Sequence, residues 1–559
     1  IRVEQRLSPY NVYLYNSPFQ ALMATALASY GDTPEAELPM RWTTDYWKNH
    51  VLPAWRQVMG NNGGWHEGGE YVGIGIGQAI YQLPAMWRKA TGEDLFRSEP
   101  GIRGFLDFLV YRTRPDGTHM RWGDGANFDR IVPDRLPLAI EYSHAAAYSL
   151  NRCPRPYTAT SWPWGPLTTN ALCKPGAYRV LPLQKHFDGI GMVIARSSWD
   201  EEATYLSFKA GDNFWSHSHL DQGAFTLFKG GPLAIDSGVY GPNYGSDHHM
   251  NYSYQTIAHN VITVTDPDDN IPAPPKKRDD PPRQIANDGG QRRIGSGWGV
   301  ESAPLDLDEW LRKSEIYQTG KIERYYDKDD LVIAVADITS AYTNKYSGKG
   351  YFSDRTRRVE KYWRTIVYDR INDAVIIYDD LVSPDPMFRK KSLIHTINEP
   401  QRIKDGFVTQ IPANENPDRK AGRLQASILF PQDANISIIG GKGLEFLVDN
   451  INFDEGGAVW KKVLRRKNNR IEPGRWRVEI SPAIAKKRDR FLMVWQPPLE
   501  IQQSDLHIRR RVAKKSLGCE IRGPTRTLKL LFPHAREGII VEIRDKTGSK
   551  TLDLTLASN

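Results

Sequence analysis

Apolar positions recur at three- and four-residue spacing through the first 150 residues of the chain. The segments SPFQALMATALASYG (17–31), TTDYWKNHVLPAWRQVMG (43–60), YVGIGIGQAIYQLPAMWRKATG (71–92) and GIRGFLDFLVYRT (101–113) each show that spacing, and Gly, Pro, Asn and Asp separate them. The spacing predicts helices, with one more over 136–150. From about residue 181 the period changes to two. GIGMVIARSSW, ATYLSFKAG, GAFTLFKGGPLAIDSG and HNVITVTD are β-branched, alternating and punctuated by glycine, and LVIAVADI, LQASILFP, RFLMVWQP and GIIVEIRD continue the pattern. They predict strands. Helices grouped first and strands second predict separate α and antiparallel β parts, not a doubly wound α/β fold. The expected organisation is a helical domain over 1–155, a Pro- and Trp-rich linker over 156–180, and one or more β-domains over 181–559. Residues 265–293, rich in proline and charge, read as an irregular surface loop.

A chain of 559 residues is long enough for two or three domains with sizeable cores. Its 16 tryptophans and 26 tyrosines suit sugar rings, but equally suit a core. Lys and Arg outnumber Asp and Glu by 74 to 66, and a net charge of +8 favours an anionic partner. No RNA-binding motif, zinc finger or helix-turn-helix pattern is present, so nucleic acid ranks low. No run of 18 apolar residues occurs, so no membrane span is expected. Cys153, Cys173 and Cys519 show no CxxC spacing; Cys153 and Cys173 can form one disulfide in an oxidising compartment. The start, IRVEQRLSPY, has no basic-then-apolar signal pattern and reads as a mature or trimmed terminus.

The stretch FWSHSHLDQGAF (214–225) carries the clearest chemistry. On a strand, His217 and His219 would share one face and converge on a proton, a metal or a substrate; the bland alternative is a solvated strand end. Asp236 in GGPLAIDSGVYG and His259 in MNYSYQTIAHNVITV join His219 as two imidazoles and one carboxylate, a set that suits a zinc-like ion with one open position. In NNGGWHEGGEYVGIG, His66, Glu67, Glu70 and Tyr71 stand at a loop-to-helix junction, where carboxylates also simply favour a helix start. Asn16, ahead of SPFQAL, reads first as a helix N-cap.

Taken in order, HSHLDQGAF, IDSGVYG and AHNVITV resemble the heparinase II/III-type polysaccharide lyases, a group that includes alginate lyases. The resemblance covers about residues 10–320. It implies an N-terminal incomplete (α/α) toroid, a C-terminal antiparallel β-sandwich and a cleft between them. Only about five helices precede the β region, so the chain is expected to begin partway through the toroid. The implied reaction is β-elimination on a uronate-containing anionic polysaccharide. A base removes the C5 proton, the C4–O bond breaks, and an acid protonates the leaving oxygen. By resemblance Asn16 neutralises the substrate carboxylate, Tyr71 is the general acid (and the base too for same-face substrates), and His217 is the base. His219, Asp236 and His259 match ligands of a divalent metal, zinc first, in a structural or orienting role. His66, Glu70, Arg196, Tyr240 and Tyr254 are further candidates for the cleft. The resemblance also implies a secreted or periplasmic location.

Three other readings compete. A metal-dependent oxygenase would use His219, Asp221 and His259. A glycoside hydrolase would use Glu67 or Glu70 with a partner carboxylate, and a carbohydrate-binding protein would do no chemistry. His395 in SLIHTI reads as a satisfied strand histidine, and the basic runs PPKKR and LRRKNNR as solvated faces.

Overall fold

Alternation along the strands leads directly to a layered structure. The computed structural model describes residues 7–125, 135–150, 172–268, 271–273, 283–285, 289–294, 303–343, 356–412, 421–464, 474–498 and 506–557. Helices dominate as far as Ala145–Tyr148, and antiparallel strands follow from Gln184–Phe187 onward. A five-stranded meander runs from Gln184–Phe187 to Gly231–Ala234. An eight-stranded sheet has Ala374–Val382 and Lys361–Asp369 near its centre, and a five-stranded meander, His507–Ala513 to Gly548–Asp553, closes the chain. A four-stranded sheet contains Ile262–Thr265 and Arg389–Thr396.

Successive residues of one strand enter different cores. Met192 and Ile194 join the helical core, whereas Val193 and Ala195 face the eight-stranded sheet. On that sheet Val332, Ala334 and Ala336 face inward to the first meander, and Leu331, Ile333 and Val335 face the last one. A sheet covered on both faces needs apolar residues at every position, which accounts for uninterrupted runs such as LVIAVA. The order of layers is helices, meander, large sheet, meander.

Several expectations need correction. The second helix begins at Glu37, not 43, and runs through a π turn, Trp47–Val51, into Leu52–Met59. Pro39 lies in its first turn, where a missing N–H costs nothing. The segment 136–150 is two short helices, Leu136–Glu141 and Ala145–Tyr148, broken at Ser143 with φ 51°. Part of the supposed surface loop is interior: Gln291, Arg292 and Arg293 are buried. The helices are not all first, since Leu307–Arg312 returns Trp310 to the helical core. Cys173 is disulfide-bonded and Cys519 is free and buried, while Cys153 lies outside the described residues. PPKKR and nearly all of LRRKNNR also lie outside them.

One buried ion pair ties the large sheet to the loops of interest. Arg364 grips Asp379 bidentately at 2.6 and 3.0 Å, and its Nη1 donates to the carbonyls of Gly223 (2.6 Å) and Asn260 (3.0 Å). Asn260 in turn donates to Phe225 O and Ile235 O, at 2.8 and 2.9 Å. Arg364→Met strands a buried carboxylate and two carbonyls, so unfolding free energy is expected to drop by about 3–5 kcal/mol. Denaturant titration checks this, and a loss below about 1 kcal/mol would show that the clamp contributes little.

Candidate active site

His217 and His219 do not lie on a strand. They occupy an irregular loop between Tyr205–Lys209 and Phe225–Lys229, in which Trp215 and His217 take left-handed φ values of 85° and 52°. Non-glycine residues pay roughly 1 kcal/mol or more for that conformation, so the surroundings must hold it. They do so through side-chain clamps. Asn213 Oδ1 accepts from Trp215 N at 2.8 Å, Ser218 Oγ donates to His66 O at 3.0 Å, and Gln222 Oε1 accepts from Gly211 N at 2.9 Å. Lys209 pairs with Asp221.

The two imidazoles do converge, on a residue that sequence reasoning missed. Asp124, 1% exposed, contributes Oδ2 to His217 Nδ1 (2.8 Å) and Oδ1 to both His219 Nε2 (2.9 Å) and His249 Nε2 (2.6 Å). Burial alone would raise the Asp124 pKa, but His249, His217 and His219 hold it well below the usual carboxylate range. His249, also missed, sits on a π turn, His249–Ser253. The available signals were the HH pair in SDHHMNY and an isolated Asp between two glycines in WGDGA.

On the other side of His219, Asp236 Oδ1 bonds His259 Nδ1. His219, Asp236 and His259 offer ligand atoms within 4.8 Å of one another, as do Asp124, His219 and His249. The first set fits a divalent ion better. His219 Nδ1 and His259 Nε2 are buried with no hydrogen-bond partner, whereas the nitrogens that meet Asp124 are already bonded.

Tyr71 ends a helical turn, Gly69–Tyr71, that passes directly into the π turn Val72–Ile76. Its ring stacks on His217 at 3.6 Å between centroids and 17° between planes, and its hydroxyl donates to Tyr240 at 3.0 Å. Burial, and then the Tyr240 hydroxyl, push the phenol above its ordinary pKa. Tyr13 and Tyr244 approach the same imidazole, at 6.3 and 5.9 Å. Asn16 is exposed and follows the last residue of Val12–Tyr15, while Ser17 occupies the N-cap position of the next helix. The N-cap reading of Asn16 is therefore incorrect. Asn11 is the capping asparagine here, buried and accepting from Tyr13 N at 3.1 Å.

The remaining candidates mostly support the site. His66 Nδ1 meets Ser218 Oγ at 3.1 Å beneath the loop. Glu67, with its pKa raised to about 7 by burial, accepts from Val12 N (2.9 Å) and Trp65 Nε1 (2.7 Å). That places it at the start of the Val12–Tyr15 helix rather than in an open cleft. Glu70 is half-buried. Arg196 is neither a surface nor a cleft residue: it is 2% exposed, donates to Tyr111 O and Thr113 O at 3.2 and 2.9 Å, and lies 3.6 Å over Trp199. Tyr254 is buried with its ring 5.7 Å from that of His219 and its hydroxyl on Ile294 O, so it backs the metal-capable set. His395 is a buried strand histidine only half satisfied, Nδ1 being 3.3 Å from Asn260 Oδ1 while Nε2 has no partner. Asp221 is committed to Lys209, which removes the carboxylate that the oxygenase triad requires.

Residues 179–299 match the family model described as heparinase II/III-like, C-terminal. A heparin-sulfate lyase from Bacteroides stercoris is 36% identical over 98 residues, which is 17% of this chain and 15% of that protein. Among solved structures, a heparinase III superposes with a TM-score of 0.55 at 14% identity, covering 96% of this chain and 65% of its own. A heparan sulfate lyase from Pedobacter heparinus gives 0.52 at 13% identity, covering 93% of this chain and 66% of its own. The structural likeness is one of fold. The chain spans about two thirds of the length of these structures.

Two glycines bring the pieces together. Gly68 and Gly123 pair in an isolated antiparallel bridge, with φ 95° and 57°. A Cβ on Gly123 would lie 2.7 Å from Gly68 Cα and 3.1 Å from His217 O. This crossing sets Tyr71, Asp124 and His217 side by side. Gly123→Ala is expected to cost about 2 kcal/mol or more in unfolding free energy, from the left-handed backbone and the clash. Gly73→Ala, with nothing within 4 Å of its Cβ, should cost nothing. Equal stability of the two variants in denaturant would contradict the close-approach argument.

Proposed function

We propose that this heparinase II/III-like chain is a polysaccharide lyase that cuts uronate-containing anionic polysaccharides by β-elimination. The observation that carries the proposal is the His217–Tyr71 stack at 3.6 Å, with Asp124 bonded behind the imidazole. Elimination needs a base and an acid close together, and this pair supplies both. His217 Nδ1 is engaged by Asp124, which leaves Nε2 to take the C5 proton. As the C4–O bond breaks, the electron pair from C5 forms the C4=C5 double bond. Tyr71, held protonated by burial, then gives its proton to the departing oxygen. For a substrate whose proton and leaving group share one face, Tyr71 would serve in both steps: as a phenolate, favoured by nearby positive charge, it takes the C5 proton and hands it to the departing oxygen.

Carboxylate neutralisation falls to Asn16. It is exposed, and stands three residues after Tyr13, which faces His217, so a helical segment presents both on one side. His219, Asp236 and His259 would hold a divalent ion, zinc first. When bound, that ion supplies structural anchoring and fixed positive charge. His66, Glu70, Tyr240 and Tyr254 complete the proposed surroundings, with Tyr240 nearest the chemistry through its bond to Tyr71. The finer architecture we propose is an incomplete (α/α) toroid packed on a β-sandwich. A secreted or periplasmic location is part of the proposal, supported by the disulfide-bonded Cys173.

Incubation with a panel of acidic polysaccharides, read by near-ultraviolet absorbance and product mass, tests the reading. An unsaturated uronate end is expected, and a saturated product would exclude it. His217→Ala and Tyr71→Phe should each lower turnover on the order of a hundredfold or more while the fold survives. Near-normal turnover in both would remove these residues from the mechanism.

Asn16→Asp sets like charges against each other at the substrate carboxylate and removes an amide donor. Turnover should collapse with an unchanged melting temperature. Normal activity on the best substrate would leave Asn16 an ordinary surface residue.

A further inference from the structure

The carboxylate of Asp124 meets three imidazoles whose outer nitrogens have different fates. Both carboxylate oxygens are met by imidazole nitrogens, and a carboxylate that accepts from all three leaves a proton on each facing nitrogen. His217 is then protonated at Nδ1, and His219 and His249 at Nε2. The His249 assignment has independent support: Gly245 N donates to His249 Nδ1 at 3.2 Å, so that nitrogen is an acceptor. For His219 the same logic leaves an unprotonated Nδ1, which is the buried, unpartnered atom beside Asp236 and His259. His259 matches it, since its Nδ1 is on Asp236 and its Nε2 is unpartnered.

We infer that Asp124 is a positioning residue that acts on two sites at once. Through Oδ2 it turns His217 so that Nε2 faces the substrate, and through Oδ1 it turns His219 so that Nδ1 faces a divalent ion. The catalytic half of this statement rests on the lyase reading, and the metal half stands without it. The physical basis is that a histidine ligand needs its other N–H satisfied, and losing that partner typically weakens metal binding 10- to 100-fold. Asp124 belongs to the helical part of the chain and His219 to the β part, so ion uptake by the β part depends on docking of the helical part.

The test uses the full chain stripped with a chelator and titrated with Zn2+ alone. Asp124→Asn preserves size but turns an NH2 group toward one of the three imidazoles. Zn2+ affinity is expected to fall 10- to 100-fold relative to wild type, and turnover on the best polysaccharide to fall with KM within about twofold. A wild-type chain that takes up no Zn2+, an Asp124→Asn chain of unchanged affinity, or a loss confined to KM overturns the inference. Should the variant not fold, selective 15N-histidine NMR of the wild-type apo-protein decides. His217 as the Nδ1–H tautomer with His219 as the Nε2–H tautomer supports the inference. His219 protonated at Nδ1 overturns it, because no lone pair would then face Asp236 and His259. If wild type binds Zn2+ but makes no unsaturated product, the lyase reading fails while the Zn2+ titration still decides the positioning of His219.

Discussion

A buried carboxylate without partners is among the costliest groups a protein interior can hold, and Asp124 is almost fully buried. It is stable there because His217, His219 and His249 meet it within 2.9 Å. The partners come from the β part and the carboxylate from the helical part. The two parts must therefore meet in one register. The left-handed turn at His217, the glycine crossing at Gly68 and Gly123, and the Ser218–His66 clamp all serve that meeting.

Behind the loops lies a stiff frame. The large sheet is covered on both faces, and Arg364 extends from it to the carbonyls after His219 and His259. Residues that do chemistry are most often found on loops held by such a scaffold. Here the loop covers residues 210–224, and Asn213, Ser218, Asp221 and Gln222 are all used to hold it. Tyr13, Tyr71 and Tyr244 gather around the His217 imidazole, and Tyr240 joins them through Tyr71 and Tyr244.

Nearby acidic residues divide by environment. Glu67, its pKa raised by burial and its oxygens used by Val12 N and Trp65 Nε1, supports the helix that carries Tyr13. Asp221 neutralises Lys209 under the loop. Among the described residues, Glu67 and Asp221 have their oxygens engaged by donors, unlike the paired free carboxylates that glycoside hydrolysis uses. In the proposed elimination, the stacked His217–Tyr71 pair would supply the complementary base and acid.

Much of this protein was legible in its residues. The change from a three-to-four to a two-residue period marked where strands take over, because local burial imposes those periods on any chain. The motifs HSHLDQGAF, IDSGVYG and AHNVITV were enough to bring His219, Asp236 and His259 together, since their order and chemistry do not depend on knowing the path between them. Asp124 and His249 were not legible. Neither lies in a recognised motif, and its role exists only because segments 93 and 125 residues apart along the chain meet at one carboxylate. The same holds for Arg196, a candidate for the cleft until burial against Tyr111 and Trp199 made it a strut. Local periodicity determined where helices give way to strands, and the resemblance of the motifs implied the chemistry. Only the tertiary structure decided which polar groups share a buried space, because the cost of leaving a charge unpaired is set by neighbours distant in the chain.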